Sequence, residues 1–349
     1  MKPVQTAACI IAILSWGLAA NVGAKVDGPC SNCHTMHNSE DGGVLVMPTE
    51  EAPLLNDDCV GCHSSTTAET IVNNNGSMIP IVYNTGGWPP QPLAGGNFFP
   101  VTQDDNFGHN VWGIADADAS LSIAPGGTIS CGVPTCHDSL GTDPVQNTSF
   151  YATGKNGCQG CHLHVNHHGP EPVAGQPVTA ENGWYRFLGG HFSLRVPGVE
   201  AEDWEQIPSA ANHNVYAGRN DDYAQFNLDP AVHTMTAFCV GCHEFIHYDR
   251  ETMNDVESPW IRHPSDKALP DSGEYSGYNP VTDYDPSVPV AWTDINNPTR
   301  ETAVVMCLSC HRAHGSPYPD MLRWDYSGMV SGNGGNTGQG CFVCHSQKD

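Results

Sequence analysis

The chain has 349 residues, with 38 acidic against 13 basic side chains and a formal net charge of −25. That balance argues against nucleic acid and anionic membrane surfaces as partners. The 37 glycines and 27 prolines interrupt the chain too often for long helices or a large sheet, and a hydrophobic share of 39% is a modest supply for a protein-only core. Something besides side chains is expected to fill the interior.

In chain order the first feature is a targeting segment. Lys2 supplies a positive charge, Ala7 to Ala20 an apolar run, and Val22-Gly23-Ala24 a small-residue cleavage site. The run is short for a membrane span and right for a signal h-region. Residues 1–24 are therefore expected to be removed with Cys9, leaving an exported chain from Lys25 with no membrane span. Of the 15 cysteines, 14 remain.

These cysteines come in pairs, each followed by a histidine. Cys-x-x-Cys-His occurs six times, at Cys30/Cys33/His34, Cys59/Cys62/His63, Cys158/Cys161/His162, Cys239/Cys242/His243, Cys307/Cys310/His311 and Cys341/Cys344/His345. Cys131/Cys136/His137 is a seventh set, with four residues between its cysteines. The pattern is the attachment signature of c-type haem. Two thiols form thioethers with the porphyrin's vinyl groups, and the next residue presents a neutral imidazole nitrogen to the iron. Disulfides or zinc account for paired cysteines but not for a histidine at the same next position every time. At Cys131/Cys136 a small disulfide loop around Pro134 is the competing reading; the following His137 favours haem. Seven covalently attached haem c groups are expected.

Seven of the 18 histidines are proximal by this reading, and the other 11 suffice for a second imidazole on every iron. Bis-histidine ligation lacks the Met ligand that raises haem potential and leaves no open position, so it favours low-potential electron transfer over oxygen chemistry. His37 and His314 lie three residues past a proximal histidine and His247 four. None can round its own macrocycle, but each can reach a neighbouring haem. His109 and His213, which share the tripeptide His-Asn-Val, and His263 occupy long gaps between motifs. From the cluster His164, His167 and His168 the choice is His168, with His167 close behind. His191 and His233 are left over; His233 is read as sitting on a helix that Asp229-Pro230 opens and that runs into Cys239. Methionines such as Met36, Met47, Met235, Met306 and Met321 are the main alternative as second ligands at one or two irons, and most are read as packing against porphyrin edges. Tryptophans such as Trp204, Trp292 and Trp324 are read as haem-facing core whose indoles can bond propionates.

The motifs fall into three pairs, Cys30 with Cys59, Cys131 with Cys158 and Cys307 with Cys341, while Cys239 stands alone. Residues 25–349 read as one multihaem domain, with a soft boundary near 171–182 between the first four motifs and the last three. Asn297-Pro298, Glu301 and the apolar run to Leu308 read as a capped helix carrying Cys307, Cys310 and His311. The expected fold is mostly irregular coil with short α-helices, wrapped around a chain of stacked haems, with little β-sheet. Asn75-Gly76-Ser77 and Asn147-Thr148-Ser149 match a glycosylation sequon, a weak signal.

At GPCSNCHTMHNS (28–39), GHNV (108–111), WIRHPSD (260–266), CLSCHRAHGS (307–316) and CFVCH (341–345) the chain resembles the multihaem cytochromes of metal- and sulfur-reducing bacteria. It resembles in particular outer-surface members that pass electrons to extracellular acceptors, some of which polymerise into haem-threaded filaments. In that family the second histidine of CHxxH serves an adjacent haem, which implies such a role for His37 and His314. The expectation is an electron carrier outside the cell or on its surface, with other redox proteins, extracellular acceptors or further copies of itself as partners. The alternatives are a periplasmic shuttle and a multihaem reductase of nitrite, hydroxylamine or a sulfur oxyanion with one five-coordinate haem. Motifs close to Lys25 and to Asp349 would put a haem at each end, as either a conduit or a filament subunit requires.

Overall fold

The computed structural model describes residues 26, 28–39, 54–118, 140–141, 157–162, 167–169, 177–178, 187–189, 195–220, 233–240, 242–243, 263–332 and 334–348. Cys131, Cys136, His137 and His247 lie outside them, as does the boundary expected at 171–182 apart from Pro177 and Val178.

Regular elements are short and separated by coil. The helices are α1 (Cys59–His63), α2 (Met235–Val240) and α3 (Cys341–Cys344), joined by brief 3-10 turns such as Cys30–Asn32, Gly157–Gly160 and Cys307–Ser309. The strands are β1 (Ser64–Ser65), β2 (Ile71–Asn74), β3 (Ser77–Pro80), β4 (Tyr83–Asn84), β5 (Gly198–Val199), β6 (Val215–Ala217), β7 (Lys267–Ala268), β8 (Ala291–Trp292) and β9 (Ala303–Val305). β1 pairs with β4, β2 forms a hairpin with β3, and the rest make one sheet in the order β5-β6-β8-β9-β7. The coil-dominated fold expected from the glycine and proline content is the one found, and no helix among the described residues is long and apolar enough to cross a membrane.

The sheet separates two small cores. Side chains alternate across a strand, so Trp292 and Ala303 face Tyr278, Tyr284, Val290 and Val343, while Ala291 and Val304 face Val196, Tyr216, Met235 and Met306. A third cluster of Phe98, Val101 and Val111 lies toward the N-terminal half.

Two local expectations are corrected. The helix read from Asn297 to Leu308 is a 3-10 turn at Arg300–Thr302, then β9, then the 3-10 turn that begins at Cys307. Ala303 and Val304 are 0% exposed and β9 pairs with β8 on one side and β7 on the other. Burial of a β-branched run on both faces of a sheet outweighs the capping signal upstream. His233 precedes α2 instead of riding on it, and the Thr234 hydroxyl caps that helix by accepting from the Ala237 amide at 2.9 Å.

Candidate haem sites

Every described Cys-x-x-Cys-His set forms a single turn. α1 spans the whole of Cys59–His63 and is capped by the Asp58 carboxylate, which accepts from the Gly61 amide at 2.7 Å. Elsewhere the histidine amide donates to the first cysteine's carbonyl, at 2.9 Å from His34, His162 and His345, 3.0 Å from His243 and 3.1 Å from His311. Residues one, four and five of such a turn share a face. Two sulfurs and one imidazole are thereby aimed at the same object.

The histidines face one another in pairs. Ring centres are 6.1 Å apart for His34 and His168 and for His63 and His167, 6.0 Å for His109 and His243, 6.3 Å for His162 and His314, and 6.2 Å for His263 and His345. Direct ring stacking is closer, as in His213 on Tyr284 at 3.6 Å. Two imidazoles joined through one nitrogen each to a single metal, at about 2 Å per bond, hold their centres about 6 Å apart. The five pairs have the spacing that one iron between them requires.

The rings are also oriented for it. Nδ1 donates to a main-chain carbonyl in His63 (Pro80, 2.8 Å), His109 (Ala313, 2.7 Å), His263 (Pro264, 2.9 Å) and His311 (Asp320, 2.7 Å). His213 and His233 do the same to Asn214 and Arg195, both at 2.9 Å. A carbonyl only accepts, so the proton sits on Nδ1 and the Nε2 lone pair is left for a metal. His345 differs: its Nδ1 lies 2.6 Å from the Glu274 carboxylate. Burial lowers the pKa of His63, His109, His213 and His263 and pushes His314 down to about 3, keeping the imidazoles neutral, as ligands must be.

Sulfurs of neighbouring described motifs lie within hydrogen-bonding or electrostatic reach of one another, the Cys131/Cys136 set between Cys62 and Cys158 lying outside the described residues. The Cys59 thiol bonds to that of Cys158, and Cys239 to Cys307. Burial and then Cys242 push Cys161 up to about 12, and burial and then Cys341 do the same to Cys310. Cys33 lies within electrostatic reach of Cys62. Once bound to porphyrin these sulfurs carry no proton; what persists is their adjacency. The six described motifs therefore follow one another in space in the order of the chain.

Glycines clamp two of the pairs together. Gly315 bridges both Gly96 and Gly108, the His314 amide donates to Gly95 at 2.7 Å, and His109 bonds the Ala313 carbonyl. One close backbone contact thus sets both His109 and His314, which oppose His243 and His162.

Buried donors fit the cofactor's acidic edge. Among the described residues Tyr284 Oη, Trp292 Nε1 and Arg323 Nη2 are buried without an acceptor in the chain, and haem carboxylates are acceptors of the right charge.

His168, the residue favoured from its cluster, faces His34, and its neighbour His167 faces His63. His314 lies opposite His162, the histidine of a different motif. His37 is exposed, and neither it, His213, His233 nor His311 pairs with another imidazole among the described residues. The orienting bond of His233, and Glu274 behind His345, were not anticipated; no local pattern marks either.

The chain has likenesses among known proteins. Residues 298–349 match the family model described as a doubled CXXCH motif. The chain is 26% identical to C-type cytochrome OmcS of Geobacter sulfurreducens over 85% of its own length and 78% of that protein's. Solved structures with a similar outline include the Outer Membrane Cytochrome S filament of Geobacter sulfurreducens, at TM-score 0.47 and 20% identity over 87% of this chain and 84% of that one. A second is the cryo-EM structure of OmcS nanowires from the same organism, at TM-score 0.45 and 21% identity over 84% and 83%. The repeated Cys-x-x-Cys-His motifs carry the attachment signature of c-type haem, and the chain is homologous to the C-type cytochrome OmcS along most of its length.

Proposed function

We propose that this chain is a seven-haem electron conduit working outside the cell or at its surface, folded as one domain over residues 25–349. One observation carries the reading: five opposed imidazole pairs, each spaced for one iron, belong to described motifs whose sulfurs lie near one another in the order of the chain. The irons are held by His34 with His168, His63 with His167, His162 with His314, His243 with His109, and His345 with His263. His311 and His137 take second ligands from the remaining histidines, His37, His213 and His247 foremost. Bound between two imidazoles, haem supplies low-potential one-electron chemistry and offers no open position. The chain contributes the rest. Burial keeps His63, His109, His167, His263 and His314 neutral, the Nδ1 bonds fix the rotation of His63, His109 and His263, and buried donors meet the cofactor's carboxylates.

The thread begins at Cys30 and ends at Cys341, so copies joined end to end would continue it. The relative OmcS is described as a filament, and polymerisation with other copies of itself is part of the proposal, alongside transfer to redox proteins or external acceptors. The test is the native secreted protein. Intact mass and a pyridine haemochrome assay should give seven haems per chain, and negative-stain microscopy should show filaments. The spectra should be wholly low-spin. A count of six overturns the haem at Cys131/Cys136, monomers alone overturn polymerisation, and cyanide or nitrite binding to a reduced iron overturns the conduit in favour of a reductase.

A further inference from the structure

Of the paired histidines whose Nδ1 bond is described, three use a main-chain carbonyl and one, His345, uses a carboxylate. This contact is built. Glu274 sits in a 3-10 turn (Gly273–Tyr275) that the C-terminal segment grips from several sides. Its carbonyl accepts from the Gln347 amide at 2.9 Å and the Ser346 hydroxyl at 3.1 Å, and that hydroxyl also accepts from the Gly277 amide at 2.9 Å. The side chain divides its oxygens: Oε1 lies 2.6 Å from His345 Nδ1 and Oε2 2.9 Å from Lys348 Nζ. The Tyr275 ring lies against the same imidazole at 4.9 Å. The carboxylate is thus fixed in position and bonded at both ends.

We propose that Glu274 is a positioning residue that lowers the reduction potential of the haem attached at Cys341 and Cys344, acting through His345. An anionic acceptor draws the Nδ1 proton more strongly than a carbonyl does and makes the imidazole a stronger donor to a metal on Nε2. A stronger donor stabilises the ferric state over the ferrous state. Hydrogen bonding behind an axial ligand is one of the levers by which a protein sets haem potential. Lys348 acts in the opposite sense, because it withdraws charge from the same carboxylate.

The inference rests on the ligand pair His263 and His345, whose ring planes are 78° apart. Near-perpendicular axial planes give a highly anisotropic low-spin electron paramagnetic resonance signal, which serves as the label for this haem. Redox titration of the full holoprotein following that signal should show the midpoint moved positive in Glu274→Gln and negative in Lys348→Met. A contact that merely staples the C-terminal segment would move both variants the same way or neither. Either of those outcomes overturns the inference while leaving the ligand assignment intact. Absence of the anisotropic signal from the wild-type protein overturns the ligand assignment itself, and the inference with it.

Discussion

The two ends of the thread are built on different plans. At the N-terminal end one dipeptide, His167-His168, faces two motifs, and its rings lie 19° from those of His63 and His34. The supports there are coil, the β2–β3 hairpin and the β1–β4 pair. At the C-terminal end His345 directly follows α3 and His263 lies on the approach to β7, their planes 78° apart, with a five-stranded sheet and two cores nearby. The first plan couples two sites through one peptide, so neither can move alone. The second gives a site its own elements and its own carboxylate, so that it can be adjusted by itself. A conduit needs both: sites locked at a fixed separation, and a terminal site whose potential suits what lies beyond it.

The largest expected effect breaks the shared ligand. Replacing His167 and His168 with alanine together should convert two irons to five-coordinate and add two equivalents of carbon monoxide binding to the reduced protein. His263→Ala should add one. If the double variant added only one equivalent, the N-terminal end would not be coupled in this way.

Next comes the joint between the two ends. Gly96 has φ +84°, and a Cβ there would collide with the Gly315 carbonyl oxygen. Left-handed backbone and overpacking together should make Gly96→Ala cost about 3 kcal/mol in chemical denaturation. Because the same contact positions His109 and His314, the variant should also show high-spin iron at the motifs of His243 and His162 before it unfolds. Loss of stability with every iron still low-spin would show that the joint holds the fold and not the ligands.

The contrast bears on what a sequence reveals. A Cys-x-x-Cys-His turn is written within five consecutive residues, so its sulfurs and imidazole are legible wherever it occurs. The facing histidine is a through-space partner. Within CHRAH His314 sits too close to His311 to serve the same iron, so its direction toward another motif is suggested locally, while the identity of the histidine it faces, His162, is not. His168 and His167 face different motifs, at His34 and His63, and no local pattern in the cluster marks that division. Ala303-Val304-Val305 was read as helix because Asn297-Pro298 and Glu301 imitate a cap, and only the flanking strands show otherwise. Glu274 lies 71 residues before the imidazole it bonds, and nothing near it in the chain announces that contact.

A smaller effect belongs to the C-terminal end alone. Asp266 is 2% exposed and accepts from the Thr234 hydroxyl at 2.9 Å, tying the start of α2 to β7. Burial raises its carboxyl from 3.8 to about 6. Between those values the folded state holds a proton that the unfolded state has released, so stability from this group is complete below about pH 4 and falls as pH rises through about 6. The loss should be on the order of 2 kcal/mol. Melting temperatures of Asp266→Asn across that window should lack the decline, whereas a variant with the wild-type slope would place the titration elsewhere.

The smallest effect requires no substitution. When two axial imidazole planes are nearly parallel, both mix with the same iron d orbital, splitting the pair that holds the unpaired electron of the ferric state. Spin density then concentrates along one porphyrin axis, and the haem methyl resonances spread widely. Perpendicular planes mix with the two orbitals equally and the spread collapses. Nuclear magnetic resonance of the oxidised protein should therefore show wide methyl dispersion for the haems at Cys30/Cys33 and Cys59/Cys62, whose planes are 19° apart, and narrow dispersion for the haem at Cys341/Cys344, at 78°. Equal spreads at the two ends would mean that the imidazoles rotate once iron is bound. Such rotation would also remove the perpendicular pair that labels the C-terminal haem, and with it the inference drawn for Glu274.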